Sequence, residues 1–249
     1  MAGTVNPLTS RRCEENPLAN PKEVAGRQAA QLVESGMTVG LGTGSTVAFT
    51  LLGLAERIEQ EGLEMRGVPT SIDTETRSRE LGIPLTTLED VERLDLTIDG
   101  ADEIDGDFQM IKGGGGALLR EKVVASISER VAIVVGREKV VERLGLSFLL
   151  PVEVVPFALP TVSRELRRLG CEPVLRLDGP SAPFSTDNGN RILDCRFAEG
   201  IADAPALERE LALLPGVVES GLFIDLAHTA LIGDDDGTVT QTHRRSPAS

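Results

Sequence analysis

From residue 37 to residue 135 the chain repeats one pattern: a short apolar run, a turn, and a stretch of helical period. The predicted strands are residues 37–41, 63–68, 94–98 and 131–135. The predicted helices run from Lys22 to a stop at Gly36, then over 46–60, 72–81 and 117–127. Strands that are apolar along their whole length are buried on both faces, and strands separated by helices cannot pair as tight hairpins. The pattern therefore requires a parallel, Rossmann-like sheet with helices on both faces.

After Leu150 the order changes to strand (152–155), helix (161–169), strand (173–177), a hairpin turning at Asp187-Asn188-Gly189-Asn190 and returning along 191–196, helix (204–213) and strand (217–219). This β-α-β-β-α-β order is that of a ferredoxin-like α+β unit. Short strands at 223–226 and 230–232 return to the first unit, with 234–237 as a turn. Three parts are expected. Residues 1–21 form a mobile N-terminal arm, 22–147 with 220–249 a Rossmann-like α/β domain, and 148–219 a smaller ferredoxin-like α+β domain.

Three distinctive segments fall where strands of such a sheet end, the place where open α/β sheets collect ligands. Gly40-Leu41-Gly42-Thr43-Gly44-Ser45-Thr46 follows the first strand and opens a helix. It offers a phosphate free backbone N–H groups, a helix dipole and two hydroxyls, and it equally suits a tight turn with no ligand. A dinucleotide site would place an acid near the end of the second strand, where this chain has Val68-Pro69-Thr70-Ser71, and no Gly-Lys-Ser/Thr makes a P-loop. Asp99-Gly100-Ala101-Asp102-Glu103 follows the third strand, with Asp99 and Asp102 placed to hold sugar hydroxyls, coordinate Mg²⁺ or cap the next turn. Lys112-Gly113-Gly114-Gly115-Gly116 precedes the helix that carries Glu121. Four glycines cost backbone entropy and give a core nothing, so they suit close backbone approach and an oxyanion hole beside Lys112. Glu121 shares a helix face with Ala117, Ala125 and Ser128, apart from an apolar stripe of Leu119, Val123 and Ile127. It is either a cleft carboxylate or a solvated glutamate favoured by the helix dipole. Lys139 lies beyond the fourth strand.

A net charge of -14 over 249 residues repels polyanions and excludes nucleic acid and anionic membranes as partners. No apolar run approaches the roughly 20 residues that span a bilayer, and residues 1–21 lack a signal-peptide core, so a cytoplasmic location is expected. Cys13, Cys171 and Cys195 form no CxxC pair and His228 and His243 stand apart, so neither a disulfide framework nor a metal site is expected. The 25 basic residues include only four lysines: Lys22, Lys112, Lys122 and Lys139. Where arginine is acceptable so widely, a retained lysine marks a place that needs a compact ammonium.

Taken together and in this order, GLGTGST (40–46), DGADEID (99–105) and KGGGGALLREK (112–122) resemble the A-type ribose-5-phosphate isomerase family over residues 22–240. The resemblance implies an aldose–ketose isomerase that interconverts D-ribose 5-phosphate and D-ribulose 5-phosphate through an enediolate. It further implies the non-oxidative pentose phosphate pathway, no metal or cofactor, and a homodimer or homotetramer. Glu121 matches the general base, with Asp99 and Lys112 as further catalytic groups. The sugar phosphate is expected against Lys22, Thr43, Gly44, Ser45, Thr46, Asp99, Gly100, Ala101, Asp102, Lys112, Gly113, Gly114, Gly115 and Lys139. Lys122 is left without a role, so its replacement by arginine is expected to be harmless. Two other classes share part of this reading. A sugar-phosphate sensor in a transcription regulator needs a helix-turn-helix, which residues 1–21 do not supply, and a CoA transferase with a glutamate nucleophile is told apart by acyl-CoA dependence.

Overall fold

The computed structural model describes residues 20–244, so the expected arm lies outside the described residues except for its last two. Those two, Asn20 and Pro21, cap and begin the first helix: the Lys22 N–H donates to Asn20 Oδ1, and Pro21 fills the first helical position, where no N–H is needed. Along the chain come α1 (Pro21–Ala30), β1 (Thr38–Leu41), α2 (Ser45–Glu61), β2 (Arg66–Pro69), α3 (Ile72–Glu80) and β3 (Leu96–Asp99). Two short strands, β4 (Glu103–Ile104) and β5 (Met110–Ile111), precede α4 (Leu118–Ser126) and β6 (Val131–Gly136). Next are β7 (Leu150–Val154), α5 (Leu159–Arg168), β8 (Glu172–Leu175), a ribbon of β9 (Leu177–Asp178) and β10 (Ala182–Pro183), β11 (Arg191–Arg196), α6 (Ala204–Ala212) and β12 (Val217–Ser220). The last three strands are β13 (Leu222–Phe223), β14 (Thr229–Gly233) and β15 (Val239–His243).

The main sheet has the order β15-β14-β6-β3-β1-β2, parallel except for β15 at its edge. Alternation along each strand sorts side chains to two cores. From β6, Ala132 and Val134 pack with Ala25, Ala29 and Ala30 of α1 and Leu51 and Leu54 of α2. Val131, Ile133 and Val135 turn to the opposite face, with Leu118 and Ala125 of α4 and Phe223. The four-stranded antiparallel sheet has the order β12-β7-β11-β8, the ferredoxin-like arrangement, with α5 and α6 over a core of Leu150, Val152, Val154, Val162, Leu166 and Leu211. Both parts of the expected fold class are present. Among the described residues, no helix is long and apolar enough to cross a membrane.

Several expected elements differ, each for a local reason. Helix α1 ends at Ala30 in tight turns, Leu32 N–H to Ala29 and Val33 N–H to Ala30 carbonyls. Gly36, with φ +94°, instead shapes the approach to β1 and donates to the Glu64 carbonyl. The second strand starts at Arg66 and not at Leu63, whose N–H still bonds the end of α2. No single hairpin turn at 187–190 joins β8 to β11; the β9–β10 ribbon is inserted before it. The strand expected over 223–226 stops after Phe223, because Asp225 takes a left-handed φ of +57°, and its two residues pair with β5 outside the main sheet. The three-stranded sheet β13-β5-β4 and the edge strand β15 were not anticipated.

The order of strands positions the site. β1 has β2 on one side and β3 on the other, so the loops leaving β1 and β3 diverge and open a crevice at their carboxyl ends. Helix α4 closes that crevice from below by packing on Gly40. A Cβ at Gly40 would stand 2.0 Å from Thr97 Oγ1 and 2.5 Å from Val124 Cγ1. Gly40→Ala is thus expected to destabilise the fold by about 1–3 kcal/mol, a fall in Tm of roughly 2–10 °C for a chain of this size. Gly106→Ala, with nothing within 4 Å of the added atom, should stay within about 0.5 kcal/mol. Thermal melts of the two variants check the contrast; equal shifts would show that α4 does not depend on this contact.

Candidate active site

Three elements bring three charged side chains to one buried point. Asp99 ends β3, Lys112 follows β5, and Glu121 lies in the first turn of α4; all three are less than 5% exposed. The Lys112 ammonium stands 3.0 Å from Asp99 Oδ2 and 3.2 Å from Glu121 Oε2, and it donates to the Gly100 carbonyl at 2.7 Å. The ring of Phe223 lies 5.3 Å from it. Asp99 is satisfied on its other oxygen by the N–H groups of Thr43 (3.1 Å) and Gly100 (2.7 Å). Glu121 has no such backbone donors: its buried Oε2 faces Lys112 and makes no directed hydrogen bond among the described residues.

These surroundings set the proton affinities. Burial, and next the negative charge of Asp99, push the Glu121 carboxyl up from 4.5 to about 8, against the pull of Lys112. Burial also pushes Asp99 up, opposed first by Lys112. Lys112 is held above its ordinary value: burial lowers it, and the charges of Asp99 and Glu121 outweigh that. The arrangement is a fixed cation, a carboxylate that holds it, and a second carboxyl poised to gain or lose a proton near neutrality.

A cleft of about 130 Å³ opens above this trio. Every residue expected at the substrate lines it, with one exception, and Glu121 lines it as well. The exception is Asp99, which lies behind Lys112 and Thr43 with both oxygens engaged. At one end, α2 begins at Gly44 without a side-chain cap, leaving its first N–H groups open, and Lys22 Nζ comes within 3.3 Å of Ser45 Oγ. The Thr43 hydroxyl points the other way, into a cluster with Thr70, Ser71 and Thr74 that ties the turn to α3. Opposite, the Gly114 N–H donates to Asp102 Oδ2 at 2.7 Å, which places Asp102 as an anchor for the glycine loop. Gly113 and Gly116 have φ of +100° and +81°, a backbone closed to other residues without strain. Lys139 is half-buried over the Phe148 ring. A larger apolar groove, about 520 Å³, lies on the outer side of α4 and contains none of these groups.

Helix α4 is turned differently from the expectation. Its buried residues are Leu118, Glu121, Val124 and Ala125, while Val123 of the expected apolar stripe is 41% exposed. Lys122 is not idle. Its ammonium is 2.6 Å from Glu219 Oε1 and 3.7 Å from Glu208, and 5.1 Å from the Phe223 ring whose other neighbour is Lys112. It fastens the helix that carries Glu121 to β12 and α6. The scarcity of lysine was the signal that could have found this role. Glu103, next to Asp102 and buried, accepts the N–H groups of Gly145, Ser147 and Phe148 and so fixes the segment under Lys139; nothing in its spacing indicated that.

Residues 66–237 match the family model described as ribose 5-phosphate isomerase A (phosphoriboisomerase A). Curated relatives include ribose-5-phosphate isomerase A of Bacillus mycoides, 49% identical over 88% of this chain and 98% of that protein. The protein of the same name from Roseobacter denitrificans is 51% identical over 91% and 88%. Among solved structures, ribose 5-phosphate isomerase A of Methanocaldococcus jannaschii superposes with a TM-score of 0.85 at 39% identity, covering 89% of this chain and 97% of that one. A D-ribose-5-phosphate isomerase in complex with phospho-erythronic acid superposes at 0.87 with 34% identity over 91% and 99%.

The raised affinity of Glu121 has a consequence for stability. Between about pH 4.5 and 8 the folded chain keeps a proton on Glu121 that the unfolded chain has released, so this carboxyl makes stability fall as pH rises through that window. Glu121→Gln removes the slope. Its Tm relative to wild type is expected to climb across the window and level off above it; a difference that does not vary with pH would contradict the raised value.

Proposed function

Because the chain belongs to the ribose 5-phosphate isomerase A family, we propose that it interconverts ribose 5-phosphate and ribulose 5-phosphate in the cleft above Lys112, with Glu121 as the base. The observation that carries this reading is the buried Glu121 carboxyl lining the cleft, with one oxygen 3.2 Å from a fixed ammonium and without a directed hydrogen bond among the described residues. Moving a proton between C1 and C2 of an open-chain pentose needs one base within reach of both carbons, and a carboxyl poised near 8 can take and return it. The negative charge that develops on the enediolate is met by Lys112 and by N–H groups of the glycine loop, already in place before the reaction. Asp99 keeps Lys112 charged and aimed, and Asp102 keeps the loop in position. The substrate phosphate is assigned to the open start of α2 with Lys22, a remote handle whose binding orients the reacting carbons. Lys139, which also lines the cleft, contacts the substrate as well.

The same proposal takes residues 22–147 with 220–249 as one domain and 148–219 as a second. It includes a cytoplasmic homodimer or homotetramer, for which family membership is the support.

Glu121→Gln keeps the shape of the side chain and removes its basicity, so kcat for ribose 5-phosphate should fall by roughly 10² to 10⁴ with KM little changed. Lys112→Arg should lower kcat more than it raises KM, because a larger, planar cation does not fit between two carboxylates and its contact belongs mainly to the transition state. Near-normal kcat in either variant contradicts the assigned role. Activity should also survive chelator, since Asp99 and Asp102 are engaged by protein donors; loss with EDTA and recovery with Mg²⁺ would assign them to a metal instead.

A further inference from the structure

The glycine loop has no side chains with which to hold itself, and the four-stranded sheet supplies one. Arg176, between β8 and β9, donates through Nη1 to the carbonyls of Gly113 at 2.8 Å and Gly114 at 3.1 Å. Nε and one N–H of Nη2 bond the two oxygens of the Asp194 carboxylate of β11. The pair is mostly buried, with side chains 15% and 18% exposed. The guanidinium lies 5.7 Å from the Phe184 ring, and Phe184 stands so close to Gly116 that a Cβ there would be 2.5 Å from it. Two carboxylate bonds and an aromatic neighbour thus fix the plane of the guanidinium, and that plane fixes two peptide groups.

A trans peptide points its C=O and N–H in opposite directions, and no cis bond is present among the described residues. Binding the Gly113 carbonyl to Arg176 therefore turns the Gly114 N–H the other way, where it meets Asp102. Binding the Gly114 carbonyl likewise turns the Gly115 N–H away from the four-stranded sheet. Gly115 lines the cleft, and its N–H has no acceptor among the described residues.

We propose that Arg176, held by Asp194, is a positioning residue for the isomerisation: it sets the glycine-loop peptides so that the Gly115 N–H donates to the oxyanion developing on the substrate. This rests on the isomerase reading above and adds to it a residue from outside the cleft. Arginine is required because one planar group must serve a carboxylate and two carbonyls at once, which an ammonium on a flexible stem cannot do.

Steady-state kinetics on Arg176→Lys, Arg176→Ala and Asp194→Asn, with ribose 5-phosphate as substrate, test it. In both Arg176 variants kcat should fall by about 30-fold or more, approaching the roughly 10² to 10³ typical of a lost oxyanion donor, while KM stays within about threefold. Asp194→Asn should show the same split to a smaller degree. The pH profile should keep its wild-type limb, because Glu121 and Lys112 are untouched. Added guanidinium ion should restore part of kcat to Arg176→Ala and none to Arg176→Lys, a recovery that a general loss of stability would not give. A kcat near wild type, a loss carried by KM, or no recovery with guanidinium would overturn the role. If Arg176→Ala does not fold, the kcat-against-KM split in Arg176→Lys decides alone. A silent Arg176 alongside an inactive Glu121→Gln would leave the isomerase reading intact and remove this inference only.

Discussion

One ammonium enclosed by two carboxylates, away from water, is the interaction around which the rest is arranged. Charges in such a place persist only as a matched set, and removing one member of a buried pair leaves an uncompensated charge at a cost of about 3–5 kcal/mol. Here Asp99 comes from the end of a central strand, Lys112 from a loop and Glu121 from a helix, so the set exists only when all three elements are in register. Two negative charges near one positive one also leave a surplus. That surplus, with burial, keeps the Glu121 carboxyl close to neutrality, which a base that must both take and return a proton requires.

The two sheets have separate duties toward that set. The parallel sheet provides the crevice, the open helix start and Asp99. The four-stranded sheet keeps α4 and the glycine loop from drifting, through Lys122 to Glu219 and through Arg176 to the loop carbonyls. The short three-stranded sheet joins them: the Lys112 N–H donates to the Gly221 carbonyl, and the Gly221 N–H donates to the Pro151 carbonyl of β7. The four lysines follow the same division, with Lys22, Lys112 and Lys139 on the cleft and Lys122 in the strut behind it.

What could be read in the sequence and what could not differ by range of interaction. Apolar runs such as 131–135 announce a strand buried on both faces, and glycines at 40–46 and 113–116 announce turns, because these signals are local. The cleft residues were legible through motifs whose members are near neighbours in sequence. The short strands β4, β5 and β13 were not, since two-residue pairs carry no period and depend on partners far along the chain. Arg176 was hidden among many similar arginines, and only the fold brings it to Gly113 and Gly114. Asp99 illustrates the remaining gap: its residue type and place at a strand end were read correctly, but which of Lys112 and the substrate it would face is decided by packing.

The central claim, that one carboxyl carries the proton between C1 and C2 through an enediolate, is tested most directly by running the isomerisation of ribose 5-phosphate in deuterated water and locating the label in ribulose 5-phosphate. A single base on one side of the substrate predicts deuterium at C1 on one face of that carbon only. Hydrogen retained from C2 in part of the product is the same carboxyl returning its proton before exchange; label spread over both C1 positions would contradict the account.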